Sequence, residues 1–197
     1  MSILGVILAG GLARRMGGQD KAFLSLKGKP LLDCAIMRLG AQVDALAINS
    51  NADAALFADY APALVPDLDD SRAGPLAGVL AGLTHAEAIG ASHVVTVAVD
   101  TPFFPLDLAV RLRDATRTEE KPLACAATGG RAHPVFGFWP VALRADLAGA
   151  LASGERKVDR WTGRHGCAVV SWYIEPSDPF FNVNTPDDLA EAERLAS

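Results

Sequence analysis

Cysteine is scarce in this 197-residue chain: Cys34, Cys125 and Cys167 are widely spaced, odd in number and form no C-x-x-C pair. That argues against a disulfide framework or a cysteine zinc site, and a cytoplasmic protein is expected. Long uncharged runs are missing as well. Glu87 separates residues 73–86 from 88–99, and both stretches fall short of the roughly 18 residues a membrane helix needs. The apolar opening Ile3 to Leu8 has no basic residue before it and Arg14-Arg15 after it, the reverse of an export signal. No membrane association is expected. Several catalytic signatures are absent: G-x-x-x-x-G-K-[ST], G-x-G-x-x-G and G-x-S-x-G do not occur. His85, His93, His133 and His165 are too scattered for a metal triad or a zincin pair, so hydrolase readings lose ground.

What is present is core. Half the residues are apolar and 21% are charged, which excludes a disordered chain and suffices for one compact domain over residues 1–197. The net charge of −5 is unevenly distributed. Residues 1–30 carry Arg14, Arg15, Lys21, Lys27 and Lys29 against Asp20 alone, a local +4 that leaves −9 elsewhere. A basic cluster on an acidic protein suits a compact anionic ligand better than a nucleic acid, which needs a basic face.

Apolar runs at Ile3 to Leu8, Leu46 to Asn49, Ala63 to Val65, Val94 to Val99, Leu123 to Ala127, His133 to Phe138 and Cys167 to Tyr173 read as strands. Helices are predicted at about 30–40, 52–59, 75–88, 105–117, 141–152 and 186–196, with Pro30, Pro75, Pro105 and Pro186 in first turns. This alternation predicts an α/β fold with helices on both faces of a mostly parallel sheet. Thr128-Gly129-Gly130-Arg131 reads as the turn of an antiparallel hairpin appended to it. Thr185-Pro186-Asp187-Asp188 is a strong helix start.

The richest stretch follows the first strand: Leu8-Ala9-Gly10-Gly11, then Arg14-Arg15-Met16-Gly17-Gly18, then Asp20-Lys21. Glycines let backbone N–H groups close around an anion while Arg14, Arg15 and Lys21 supply cations, so a triphosphate cradle is expected. Asp100 ends the run Val94 to Val99, at the carboxyl end of an expected central strand, where open α/β sheets bind ligands. One carboxylate beside a phosphate loop suffices for Mg²⁺, although an aspartate before Thr101-Pro102 also serves as an ordinary turn cap. Asn49 and Asp67 end the next two strand candidates and could read a base or ribose, or simply form turns. Asn182 and Asn184 alternate toward one face of an extended segment and could hold a ligand or the metal, or decorate the following cap. His133, alone on a strand, reads as structure or substrate contact and not as a general base.

Taken together, Leu8 to Lys21, Gly74-Pro75-Leu76-Ala77-Gly78, Asp100-Thr101-Pro102, Arg131-Ala132-His133-Pro134, Gly154-Glu155-Arg156-Lys157-Val158 and Asn182-Val183-Asn184-Thr185-Pro186 resemble the molybdenum cofactor guanylyltransferase family in order and approximate spacing. The resemblance implies a three-layer α/β/α, Rossmann-like fold of the nucleotide-diphospho-sugar transferase type. It implies transfer of GMP from GTP to molybdenum-molybdopterin with release of pyrophosphate. By position it assigns Leu8, Ala9, Gly10, Lys21, Asn49, Asp67 and Asp100 to GTP, and Asp100 to Mg²⁺. Arg15, Lys21 and Asp100 would be catalytic, Asn182 and Asn184 would lie on the acceptor side, and molybdoenzyme maturation factors would be partners. Rival readings are the cytidylyl-transferring sister enzyme, whose loop reads Ala-Ala-Gly, a sugar-1-phosphate nucleotidyltransferase and a nucleotide-sensing module.

Overall fold

The structure, a computed structural model, describes residues 1–10, 20–68 and 74–196. Strand β1 (Ile3–Leu8) is apolar on both faces and divides the core by alternation. Ile3 and Ile7 join one hydrophobic cluster, Leu4 and Val6 the other. Gly5 lets the helix carrying Leu39 lie close: a Cβ there would come 2.8 Å from Leu39 and 2.9 Å from Leu46.

A short hairpin, β2 (Ser25–Leu26) and β3 (Lys29–Pro30), turns at Lys27 and Gly28, both at positive φ, and feeds α1 (Leu31–Gly40). Then come β4 (Ala45–Asn49), a 3-10 turn (Ala54–Phe57), β5 (Ala63–Val65), α2 (Pro75–Ala88), β6 (His93–Ala98) and α3 (Leu108–Thr118). Strands β7 (Leu123–Thr128) and β8 (Arg131–Pro140) precede α4 (Arg144–Ala152), α5 (Val158–His165), β9 (Cys167–Trp172) and α6 (Pro186–Leu195). Helices α1, α3 and α6 contribute to the cluster on one face of the sheet, α2, α4 and α5 to that on the other. This is the three-layer arrangement expected of such alternation.

The seven-stranded sheet has the order β5-β4-β1-β6-β8-β7-β9. All neighbouring pairs are parallel except those made by β8, which runs against both β6 and β7. The Gly129-Gly130 hairpin is therefore not appended at the edge: β8 is inserted between β6 and β7, and the sheet continues beyond β7 to parallel β9. Adjacency in sequence identifies the hairpin but not the second neighbour of either strand.

Other boundaries differ for local reasons. Pro30 pairs in β3 and stands as the N-cap of α1 just outside its first turn, and α3 begins at Leu108, the first residue of its buried stripe, leaving Leu106 exposed. The 52–59 prediction shrinks to a 3-10 turn, and 141–152 divides into a 3-10 turn (Val141–Leu143) and α4. Helix α5 went unpredicted because only Val158, Trp161 and Thr162 of its eight residues are buried, between exposed charges. At i, i+3 and i+4 those three still make an inward stripe.

Two polar bonds fasten the inserted strand. The Thr96 hydroxyl on β6 donates to Val135 O at 2.5 Å and accepts from Trp139 Nε1 at 2.8 Å. Val135 lies in an irregular part of β8, where the partner of Cys125 is Gly137 and that of Ala126 is His133. Thr96→Val keeps the volume but leaves the part-buried Val135 carbonyl and the buried Trp139 indole N–H unpaired. We expect a loss of about 2–4 kcal/mol, the lower part of the range set by roughly 1–3 kcal/mol per orphaned group because the carbonyl is only part-buried, seen as a lower urea midpoint at unchanged m value.

Candidate active site

The chain runs from β1 outward through β4 and β5, then returns to place β6 on the other side of β1. Strand order reverses there, and in open α/β sheets a crevice forms beyond the carboxyl ends at such a point. Register brings the expected residues level: Leu8 lies opposite Asn49 on one side and Ala98 on the other, and Asn49 opposite Val65. Ala9 N donates to Asn49 O at 2.8 Å, and Val99 N to Leu8 O at 3.2 Å. Beyond them, among the described residues, nothing lies within 4 Å of where a Cβ on Gly10 would stand. Arg15 lies outside the described residues.

Lys21 opens a 3-10 turn (Lys21–Phe23) whose first amide is capped by Asp20, with Ala22 N donating to its carboxylate at 3.0 Å. From there the ammonium reaches Asp100 Oδ2 at 2.9 Å and also donates to Asn184 Oδ1. Both members of the ion pair are largely enclosed, each side chain 17% exposed. Asn182 and Asn184 arrive on an extended segment pinned in three ways. Val183 N donates to Asp100 O at 2.7 Å, the Thr101 hydroxyl donates to Asn182 Oδ1 at 2.6 Å, and Asn184 N donates to Asp188 Oδ2 at 2.9 Å. The last bond belongs to the capping box of α6, in which Thr185 N also donates to Asp188 and Asp188 N to the Thr185 hydroxyl.

A second cluster flanks β1. Asn49, 5% exposed, donates from Nδ2 to Val65 O at 3.0 Å and to Asp67 Oδ1 at 2.9 Å. Asn51 donates to Asp67 Oδ2 and accepts from Asp67 N, both at 2.8 Å. Asp67 is thus held by two side-chain amides and keeps spare lone pairs on each oxygen. Helix α2 closes over this pair only because position 78 is glycine: a Cβ would stand 2.3 Å from Asn49 Oδ1 and 2.7 Å from Leu8 Cδ2.

Structure therefore gathers Lys21, Asp100, Asn182 and Asn184 into one cluster, and Leu8, Ala9, Asn49 and Asp67 along the adjoining strand ends. Asn51, which the sequence places with Asn49 at the same strand end, and Thr101, which reads as a turn former, hold members of these groups. Among the described residues no group of three or more His, Cys, Asp or Glu assembles. The oxygens gathered there are the Asp100 carboxylate, bound by Lys21, and the amide oxygens of Asn182 and Asn184, bound by Thr101 and Lys21, hard donors with one charge that each keep a further lone pair. That fits magnesium, which takes one or two carboxylates and completes its shell with water and phosphate.

The Asp188 carboxyl is held below its ordinary range, first by the Asn184 N–H, then by the Thr185 hydroxyl. A depressed folded value means stabilisation that is present above the unfolded value of 3.8 and lost as pH falls through the folded one. Asp188→Ala should cost about 1 kcal/mol at pH 7, the scale of a lost cap, and the difference from wild type in thermal unfolding should shrink below pH 3.8.

A family model for the MobA-like NTP transferase domain matches residues 5–168. A molybdenum cofactor guanylyltransferase of Bradyrhizobium sp. (strain ORS 278) is 51% identical over 201 residues, covering 100% of this chain and 94% of that protein. One from Rhodopseudomonas palustris (strain HaA2) is 50% identical over 196 residues, covering 97% and 91%. Among solved structures, the crystal structure of molybdopterin-guanine dinucleotide biosynthesis protein A from Archaeoglobus fulgidus superimposes with a TM-score of 0.79 at 24% identity, covering 98% of each chain. The shared architecture is the nucleotide-diphospho-sugar transferase fold.

Proposed function

We propose, because this chain belongs to the MobA-like NTP transferase family and is a nucleotidyltransferase of its molybdenum cofactor guanylyltransferase branch, that it moves GMP from GTP onto the phosphate of molybdenum-molybdopterin. The observation that carries this reading is the meeting of Lys21, Asp100 and Asn184 from three distant parts of the chain beside the glycine end of β1. A phosphate oxygen of the acceptor attacks the α-phosphorus of GTP. The bond from that phosphorus to the bridging oxygen breaks, and pyrophosphate leaves. The acceptor is a phosphate monoester with a second pKa near 6, so it is largely dianionic at neutral pH and needs no base from the chain.

The chain's work is placement and charge. Backbone at Leu8, Ala9 and Gly10 lets the nucleotide approach closely, and the Lys21 ammonium offsets charge on the transferring and leaving phosphates. Asn49 fixes Asp67, whose carboxylate can accept N–H groups from guanine or hydroxyls from ribose. The Asp100 carboxylate, with the Asn182 and Asn184 amide oxygens, would hold magnesium, which when bound neutralises phosphate oxygens and polarises the reacting phosphorus. We assign Arg15 to the same phosphate group on its charge and its place in the loop. The reading places one nucleotidyltransferase domain over residues 1–197 in the cytoplasm, its product passing to molybdoenzyme maturation factors.

The deciding experiment follows dinucleotide formation from loaded cofactor with GTP, CTP or ATP, with and without magnesium. We expect GTP and magnesium to be required, and CTP preference would overturn the assignment. Lys21→Ala should lower turnover by on the order of 10²–10³-fold, the scale of removing a positioned transition-state donor, and a near-normal rate would refute its role. Asp100→Ala should abolish magnesium-dependent transfer while circular dichroism stays native. With no chain base in play, the acidic limb of the pH–rate profile should follow acceptor ionisation near pH 6.

A further inference from the structure

Between β9 and α6 the chain crosses the carboxyl edge of the sheet as a strap that carries Asn182 and Asn184 to Asp100 and Lys21. Two of its side chains are buried, Val183 at 0% exposure and the larger Phe180 at 3%, two residues before Asn182. A tight turn on Asp178 presents it: Phe180 N donates to Asp178 Oδ1 at 2.9 Å and Phe181 N to Asp178 O at 3.1 Å. Three rings surround Phe180. His133 stacks on it at 4.8 Å and 20°, Phe136 meets it edge-on at 4.8 Å, and Trp172 does so at 5.7 Å.

His133 is tied to the sheet by a polar bond, its Nε2 lying 2.8 Å from the hydroxyl of Thr128, itself 3% exposed at the end of β7, whereas Trp172 is tied away from the sheet, its Nε1 donating to Asp107 Oδ1 at 2.9 Å. It also sits where β8 slips register, opposite Ala126 while Gly137 pairs with Cys125. The irregularity and the bond fix the imidazole as a plate against which the strap rests. Burial lowers the His133 pKa, against an opposing pull from Asp178, so the ring is neutral at neutral pH.

We infer that His133 is a positioning residue which, through Phe180, sets the strap so that Asn182 and Asn184 stand on Thr101 and Lys21. Its link to turnover rests on the guanylyltransferase reading above, but its link to the strap does not. The bond from Val183 N to Asp100 O, 2.7 Å, reports strap position directly.

The experiment measures hydrogen exchange at the Val183 amide, beside kcat and the KM for GTP, in His133→Ala, His133→Gln and His133→Phe. Gln can bring an amide to where Nε2 meets Thr128 but has no ring, whereas Phe keeps the ring without the nitrogen that meets Thr128. Ala and Gln should raise Val183 exchange and lower kcat by about 10-fold, within the scale of small misplacements at a reacting centre, with the GTP KM within about 2-fold. Phe should bring both most of the way back to wild type. Wild-type exchange at Val183 in His133→Ala would overturn the inference. So would a kcat as low in His133→Phe as in His133→Ala with Val183 still protected, because the imidazole would then act on substrate itself. If His133→Ala does not fold, Phe180→Leu supplies the same comparison. Should wild type form no dinucleotide, the functional reading fails alone and the exchange arm still decides the role of His133.

Discussion

Everything at the carboxyl edge of the sheet is organised about one ion pair, the Lys21 ammonium against the Asp100 carboxylate at 2.9 Å. The partners are 79 residues apart, and Asn184, which shares the ammonium, is 163 residues from Lys21. A pair this enclosed is a poor device for stability, since desolvating two charges offsets much of their attraction. It is a good device for holding two opposite charges in place until a polyanion arrives. Removing either partner leaves the other charge unpaired on a side chain that is only 17% exposed.

The fold supplies that pair with three independent supports. Parallel register makes Leu8, Asn49 and Ala98 level, so Asp100 emerges beside Gly10 without any special loop. The Asp20 cap sets the turn that carries Lys21. The capping box of α6 takes up the amides of Asn184 and Thr185, which joins a helix start to a site contact. Each is an ordinary device of secondary structure, and the site consists of their coincidence at one strand-order reversal.

Legibility from sequence followed the range of the interaction that decides each feature. Asp100, Asn49 and Asp67 could be placed because strand ends are local, and Asn182 and Asn184 because Thr185-Pro186-Asp187-Asp188 announces the helix they precede. The position of β8 could not be read, because its contacts with β6 depend on Thr96 reaching Val135 and Trp139 across the sheet. Helix α5 was hidden by brevity, its inward stripe being Val158, Trp161 and Thr162 among charged neighbours. Asn51 and Thr101 look like turn residues, and only the fold shows that Asn51 grips Asp67 and Thr101 grips Asn182.

Gly78 shows how the Asn49–Asp67 cluster is held to a rigid wall. The Asn49 amide must lie flat beneath the first turns of α2 to reach both Val65 and Asp67, and its oxygen occupies the space a Cβ at position 78 would take. A helix held that close to β1 and β4 cannot drift outward without exposing Leu76 and Val79, both buried in the same layer. Packing energy from the core is thereby transmitted to a hydrogen-bonded carboxylate at the sheet edge. On the other flank the same task falls to aromatic rings about Phe180 instead of to a glycine. One arm is fixed by close backbone approach and the other by stacked side chains, and the ion pair lies at the sheet edge they both serve.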